Sequence, residues 1–215
     1  MQIRYYLNFK EDKRISMDAY ANSLIEYQKN NYKDVNVQSF RPKIDIFSHL
    51  LYFKKIKMRY ARYISYPKQI KKLPTTDISH ICDHQYAHLY SIINSKIKFV
   101  TVHDLVPFVF YKKIGKWPHL LSHSLSNLKY FDRVFAVSKN TKSDILKYTD
   151  CPEDKIKVIL ETVEDFFNNS AIDETEICKK YNLPINKKKI LITGNIFYKN
   201  TKTSFLTLEK LIKKD

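Results

Sequence analysis

The chain reads as an α/β protein organised around a doubly wound parallel sheet, and three observations carry that expectation. Short apolar runs bounded by turn residues take turns with amphipathic, helix-spaced runs along the chain, which is the pattern of βαβ units with helices on both sheet faces. The composition, 44% hydrophobic and 28% charged, is that of a chain able to bury a core. From residue 188 the pattern starts afresh, with one strand-like run, one loop and one helix-like run. That is too little to cover its own apolar face.

The elements follow in order. Ile3 to Phe9 reads as a first strand. Ser16 is placed to cap a helix with Asp18 in its first turn, where negative charge suits the positive helix end. Met17, Tyr20, Ala21, Leu24 and Ile25 recur at helical spacing and predict one buried stripe. Val35 to Phe40 is a second strand. A basic stretch over 46–72 is expected to be helical as far as Ser65 and to be interrupted at Pro67. DISHIC at 77–82 is a strand, followed by a helix with Tyr86, Leu89, Tyr90 and Ile93 on one face. KFVTV at 98–102 and RVFAV at 133–137 are strands flanking a helix at 120–130, and Ser138 caps the next helix. KIKVI at 155–159 and KILIT at 189–193 complete the strands. The last helix carries Phe205, Leu208, Leu211 and Ile212.

Composition excludes several functions. Only Gly115 and Gly194 are glycines, so a phosphate-cradling P-loop and a GxGxxG dinucleotide fingerprint, which both need several, are absent. No apolar run reaches the ~18 residues of a membrane span, and MQIRYYLNFKEDKR is a short strand pattern unlike a leader peptide. Cys82, Cys151 and Cys178 lack CxxC spacing and read as free thiols of a reducing compartment, with neither a disulfide nor a zinc site. Thirty-eight Lys and Arg against 22 Asp and Glu leave a net charge of +16, which suits an anionic partner, although a Lys- and Asn-rich composition contributes to it.

In open parallel sheets ligands sit beyond the carboxyl ends of the strands. His103 and Asp104 directly follow KFVTV, Ser138 follows RVFAV, and Gly194, Asn195 and Lys199 follow KILIT just ahead of a helix start. A lysine beside free helix-start N–H groups is a candidate anion site. His80, Cys82, Asp83, His84 and His88 form a dense group of metal-ligating types, but their mixed strand and helix spacing argues for ordinary polar residues, and no protein-bound metal is expected. Between Tyr52 and Leu73 lie eight basic residues and no acidic one. There Phe53, Ile56, Tyr60 and Tyr63 fall at helical spacing opposite Lys55, Arg59 and Arg62. Such a helix fits either a membrane surface or an ordinary face packed on the sheet.

The blocks VTVHDLVPF, FDRVFAVSKNTKSDILKY and PEDKIKVI, the V-E-x-x-F-like stretch Val163 to Phe167, and ILITGNIFYKN stand in an order and spacing that resembles family 4 glycosyltransferases. The similarity is strongest over 77–210. The resemblance implies the GT-B fold, with two Rossmann-like domains and a cleft between them, and retaining transfer of a sugar from a nucleotide-sugar donor to a glycan or lipid-linked acceptor, as in polysaccharide biosynthesis. It implies residues 1–165 as the N-terminal, acceptor-side domain, 166–187 as a linker, and 188–215 as the first βα unit of a truncated donor-side domain. It assigns His103 to the donor sugar and Lys199 to the donor diphosphate, on opposite walls of the cleft, with Gly194, Asn195 and Ser138 also on the donor. Asn195 stands where the family has an arginine. FKEDKRISMD replaces the family's Gly-rich loop, with Arg14 and Ser16 as substitutes and Asp104 beside them as a further acceptor-side or loop candidate. Glu161-Thr162 replaces an Asn-Gly. No cofactor is implied, since the nucleotide sugar is a substrate.

The expected setting is cytoplasmic, with peripheral contact to the inner membrane face through 52–73. The alternative is a non-catalytic basic subunit or remnant that binds a membrane or nucleic acid. Nucleic acid is the weaker of these partners, because no helix-turn-helix, zinc knuckle or aromatic platform accompanies the charge. As it stands, the chain is expected to be inactive in sugar transfer.

Overall fold

Six parallel strands form one sheet: β1 (Gln2–Tyr6), β2 (Asn36–Phe40), β3 (Thr76–Ile81), β4 (Ser95–Val102), β5 (Arg133–Ala136) and β6 (Ile156–Val158). Their spatial order is β2-β1-β3-β4-β5-β6. The computed structural model describes residues 1–161, 173–194 and 197–213. The V-E-x-x-F-like stretch Val163 to Phe167, much of the expected linker, and Asn195 lie outside the described residues. The chain divides into two compact units, Met1–Thr162 and Val163–Asp215.

The strands at 98–102 and 133–137 pair in parallel, from Phe99 opposite Arg133 to Val102 opposite Ala136. Parallel neighbours need crossovers, and these are α1 (Ile15–Asn31), then α2 (Ile46–Leu50), α3 (Lys54–Tyr60) and α4 (Tyr66–Ile70) between β2 and β3. A 3-10 stretch, His84–Ser91, joins β3 to β4. The short α5 (Val106–Val109) and α6 (Tyr111–Ile114), then α7 (His119–Leu125), lead to β5, and α8 (Lys139–Tyr148) leads to β6. Alternate side chains divide between two cores. Ile3, Tyr5 and Leu7 pack against Ala21 and Ile25 of α1. On the other face Tyr6, Ile81, Val100, Val102, Val134 and Ala136 pack with Tyr66, Tyr86, Leu89, Phe108 and Leu128. The α1 layer covers only part of its face, because Phe99 and Phe135 there remain half-buried.

Four details depart from the sequence reading. Helix α1 starts at Ile15, with Arg14 in the N-cap position, so the exposed Ser16 lies inside the first turn and does not cap it. The helical stretch passes through Pro67. A π-turn at Ala61–Ser65, with the Tyr66 N–H reaching the Ala61 carbonyl, places Pro67 in the first turn of α4, where a missing N–H is tolerated. The helix expected over 120–130 ends at Leu125. Here the Asn127 amide donates to the His123 and Ser124 carbonyls and competes with the helical ladder. The strand expected at 189–193 is not paired: Ile190 and Leu191 are exposed, and no strand among the described residues of this unit offers a ladder.

The second unit holds α9 (Glu174–Lys180) and α10 (Thr201–Ile212). Asp173 caps α9 by accepting from the Thr175 N–H, and Lys189 Nζ lies 2.7 Å from Glu174 Oε1. The apolar face of α10 is largely in water: Phe205, Leu206, Leu211 and Ile212 are all exposed.

Candidate functional site

Because every strand runs the same way, the segments after β1, β3, β4 and β5 gather at one edge of the sheet. The chain leaves β1 in one direction towards β2 and returns on its other side to β3. Doubly wound sheets bind ligands at such a reversal, beyond the carboxyl ends of the strands that flank it, here β1 and β3. Asn8 follows β1, Asp83 follows β3 and His103 follows β4, so the topology brings these three polar residues to the same sheet edge.

His103 is buried, and both of its ring nitrogens have acceptors. Nδ1 lies 2.8 Å from Glu161 Oε1, and Nε2 lies 2.9 Å from the Cys82 carbonyl oxygen. The two contacts fix the orientation of the ring from both sides. The Tyr20 ring meets the imidazole edge-on, with centroids 4.9 Å apart. Tyr20 in turn hydrogen-bonds through its hydroxyl to Thr101 Oγ1 at 2.9 Å, and burial pushes its pKa up to about 12. Thr101 Oγ1 also meets His80 Nε2 at 2.8 Å. The result is a linked run of side chains from α1 through β4 to β3.

At the switch point, Asp83 is fully enclosed. Its Oδ2 accepts from Asn8 Nδ2 at 2.8 Å and from Arg14 Nη1 at 3.3 Å, while its Oδ1 accepts from the Gln85 N–H at 2.9 Å. Burial alone would raise the Asp83 pKa. His84, Arg14, the Gln85 amide and Asn8 outweigh it and hold the carboxyl below the ordinary carboxylate range. His84 is buried beside it, its Nδ1 3.5 Å from Asp83 Oδ1 and without a hydrogen bond, and burial pushes its pKa down against the pull of that carboxylate. Arg41 closes the outer side, donating to the Asn8 carbonyl and to Asp18 Oδ1, both at 2.9 Å.

The other predicted residues distribute as follows. Ser138 Oγ accepts from the Thr141 N–H at 3.0 Å and caps α8, while Thr141 Oγ1 donates to the His103 carbonyl at 3.1 Å. The cap therefore supports the histidine's backbone. Ser138→Ala is expected to lower the stability of the first unit by about 1 kcal/mol, read as the midpoint of urea unfolding. An unchanged midpoint would show that the cap contributes nothing. Asp104 is exposed and accepts from the Val106 N–H at 3.1 Å. Arg14 joins the Asp83 cluster, whereas Ser16 faces solvent.

In the second unit Lys199 ends a 3-10 turn, Phe197–Lys199, directly before α10. Gly194 has φ +86°, and a Cβ there would meet Lys199 Cγ at 3.0 Å, so the turn needs glycine both for its backbone and for the close lysine stem. Thr201 Oγ1 donates to the Gly194 carbonyl at 2.8 Å and locks this turn onto the helix start. Lys199 is exposed and lines a groove of about 520 Å³ with Asn200, Thr203 and Ser204. These residues can receive an anion at the N-terminal end of α10.

Asn8, Tyr20 and Glu161 were not singled out as site residues by sequence, and Asp83 was weighed only as a metal ligand. The strand order could have found Asn8 and Asp83, because both directly follow strands that flank the reversal. Nothing local marks Glu161, 58 residues from its partner. Among the described residues no group of three His, Cys, Asp or Glu side chains is placed to hold a metal ion. His88 faces the Ser124 hydroxyl and the Arg62 carbonyl, and His80 faces Thr101. The three cysteines are free and buried. Also among the described residues, no helix is long and apolar enough to cross a membrane. No protein-family model matches the chain, and comparison with curated proteins likewise finds no match.

Proposed function

We propose that the chain is the acceptor-side domain, with the start of the donor-side domain, of a retaining GT-B glycosyltransferase. The observation that carries the reading is His103, held on both ring nitrogens at the carboxyl edge of a parallel sheet, one strand from the topological switch point. In such a transfer the bond from the anomeric carbon to the diphosphate breaks while the acceptor hydroxyl oxygen bonds to the same carbon. The hydroxyl proton leaves with the departing phosphate oxygen. Lys199 carries the charge that suits that diphosphate, beside the free N–H groups that open α10. His103 serves the donor sugar, and Arg14, half-buried and held by Asp83, gives the acceptor a polar partner.

The donor nucleotide would be held mainly by parts of a donor-side domain that residues 188–215 only begin. The exposed apolar face of α10 and the unpaired stretch at 189–193 agree with that view. The test is a transfer assay over a panel of nucleotide sugars. It compares the 215-residue chain with the same chain extended at its C-terminus by a donor-side domain. Transfer with retained anomeric configuration is expected from the longer polypeptide and none from the shorter. Robust transfer by the 215-residue chain, or inversion at the anomeric carbon, would overturn the reading.

A further inference from the structure

The segment from Ile46 to Ile64 leaves an apolar surface in water. Ile46 is 84% exposed, Leu50 75% and Tyr52 93%, and Phe47, Phe53, Ile56 and Ile64 are exposed with them. The cause lies in the phase of α3. Met58 and Ala61 take the positions that face the core, so Phe53 and Ile56 turn away from the sheet. Phe47 packs on Tyr60 with ring centroids 5.1 Å apart, and the two wall an open groove of about 810 Å³ with Ile44, Ile46 and Ile64, and Lys68 at its rim. Monomeric proteins rarely leave so many neighbouring large apolar side chains uncovered.

The charge around this surface is predominantly basic, with Asp45 at the groove as an acidic exception. From Ile46 to Thr76 there is no acidic residue and there are eight basic ones. Of these, Lys54, Lys55, Arg59, Lys68, Lys71 and Lys72 are exposed. A second copy of this chain, docked face to face, would set the six exposed cations against six. A nucleic acid would take the cations but leave Ile46, Leu50 and Ile56 in water, since aliphatic side chains do not stack on bases. An anionic bilayer satisfies both halves. Apolar side chains enter the headgroup–acyl boundary, and each cation near the surface adds about 1 kcal/mol.

We infer that this face, α2 and α3 with the Tyr52–Phe53 link between them, docks on an anionic lipid surface. Ile46, Phe47, Leu50, Tyr52 and Phe53 form the inserted part, and Lys54, Lys55 and Arg59 meet the headgroups. The inference does not rest on sugar transfer and survives its failure.

The test is co-sedimentation of the full chain with vesicles of phosphatidylcholine alone and of phosphatidylcholine mixed with phosphatidylglycerol, at two salt concentrations. Binding to the mixed vesicles is expected to be at least about tenfold tighter and to weaken with salt. Leu50→Ser with Phe53→Ser should lower it about tenfold or more on mixed vesicles. Lys54→Glu with Lys55→Glu should remove the preference for the anionic lipid. All four positions are exposed, so the variants should keep the far-UV circular dichroism of the parent, which checks folding. Absent binding, or equal binding to both vesicles, overturns the inference. So does tighter binding to duplex DNA than to mixed vesicles. A dimer in sedimentation equilibrium that Leu50→Ser dissolves also overturns it, and assigns the face to a second copy.

Discussion

Under the proposed sugar transfer, His103→Ala and Lys199→Ala are each expected to lower kcat/KM by about 10²–10³-fold in a polypeptide that carries out the reaction, the range typical when one preorganised group is removed from a developing charge. On that proposal the two would act on different parts of the donor. Lys199 would offset charge on the departing diphosphate, so Lys199→Arg should retain more activity than Lys199→Ala, since the charge survives while its geometry changes. His103 presents a ring whose orientation is held by Glu161 and the Cys82 carbonyl. Glu161→Gln keeps an oxygen acceptor for Nδ1 and should cost less than His103→Ala, whereas Glu161→Ala releases the ring. Urea unfolding of each variant separates a lost role from a lost fold. If both alanine variants turn over like the parent, the assignment of these positions is wrong.

The second large effect is on stability in acid. His80 and His88 are only 5% and 9% exposed, and their pKa values are pushed down to about 3 and about 4. Burial is the main cause in both. The charge of His103 adds to it at His80, while the carbonyls of Arg62 and Gln85 oppose it at His88. A histidine whose folded pKa lies below its unfolded value of ~6.5 binds fewer protons folded than unfolded in that window. Stability is therefore full above about pH 6.5 and falls as the pH drops towards the folded values. By pH 4.5 each histidine costs on the order of 2–3 kcal/mol, together a large part of the ~5–15 kcal/mol that holds a domain. Urea unfolding at pH 7 and pH 4.5 should show this loss. His88→Gln, which cannot titrate, should flatten the pH dependence even though it weakens the contacts to Ser124. Equal stability at both pH values would mean that the two rings are not held neutral.

The line between sequence and tertiary structure runs through particular residues. Strand positions were legible because parallel strands, covered on both faces, are short apolar runs bounded by turns. Each of the six strands in the sheet lies inside or overlaps a run read from the sequence. The Ser138 cap was legible for a similar reason, since its acceptor and the Thr141 N–H lie three residues apart on one turn. Local signals failed where a partner was needed. The apolar run at 189–193 has strand composition, but a strand is a pairing, and none is made there among the described residues. At Pro67 the helix continues because a π-turn shifts the register, which composition does not reveal.

The site divides in the same way. His103 stood out because it follows a strand, and Lys199 because it precedes a helix. Which groups surround His103 depends on strand order, since the end of β3 brings the Cys82 carbonyl just after it, and α1 brings Tyr20, to the same edge from more than twenty and eighty residues away. The Asn8–Asp83 pair spans 75 residues. The basic charge of 52–73 was plain in the sequence, but the exposure of Phe53 and Ile56 was decided by which face of α3 won the core. Met58 and Ala61 won it, because the sheet has room for one stripe of a helix and turns the opposite stripe to the solvent.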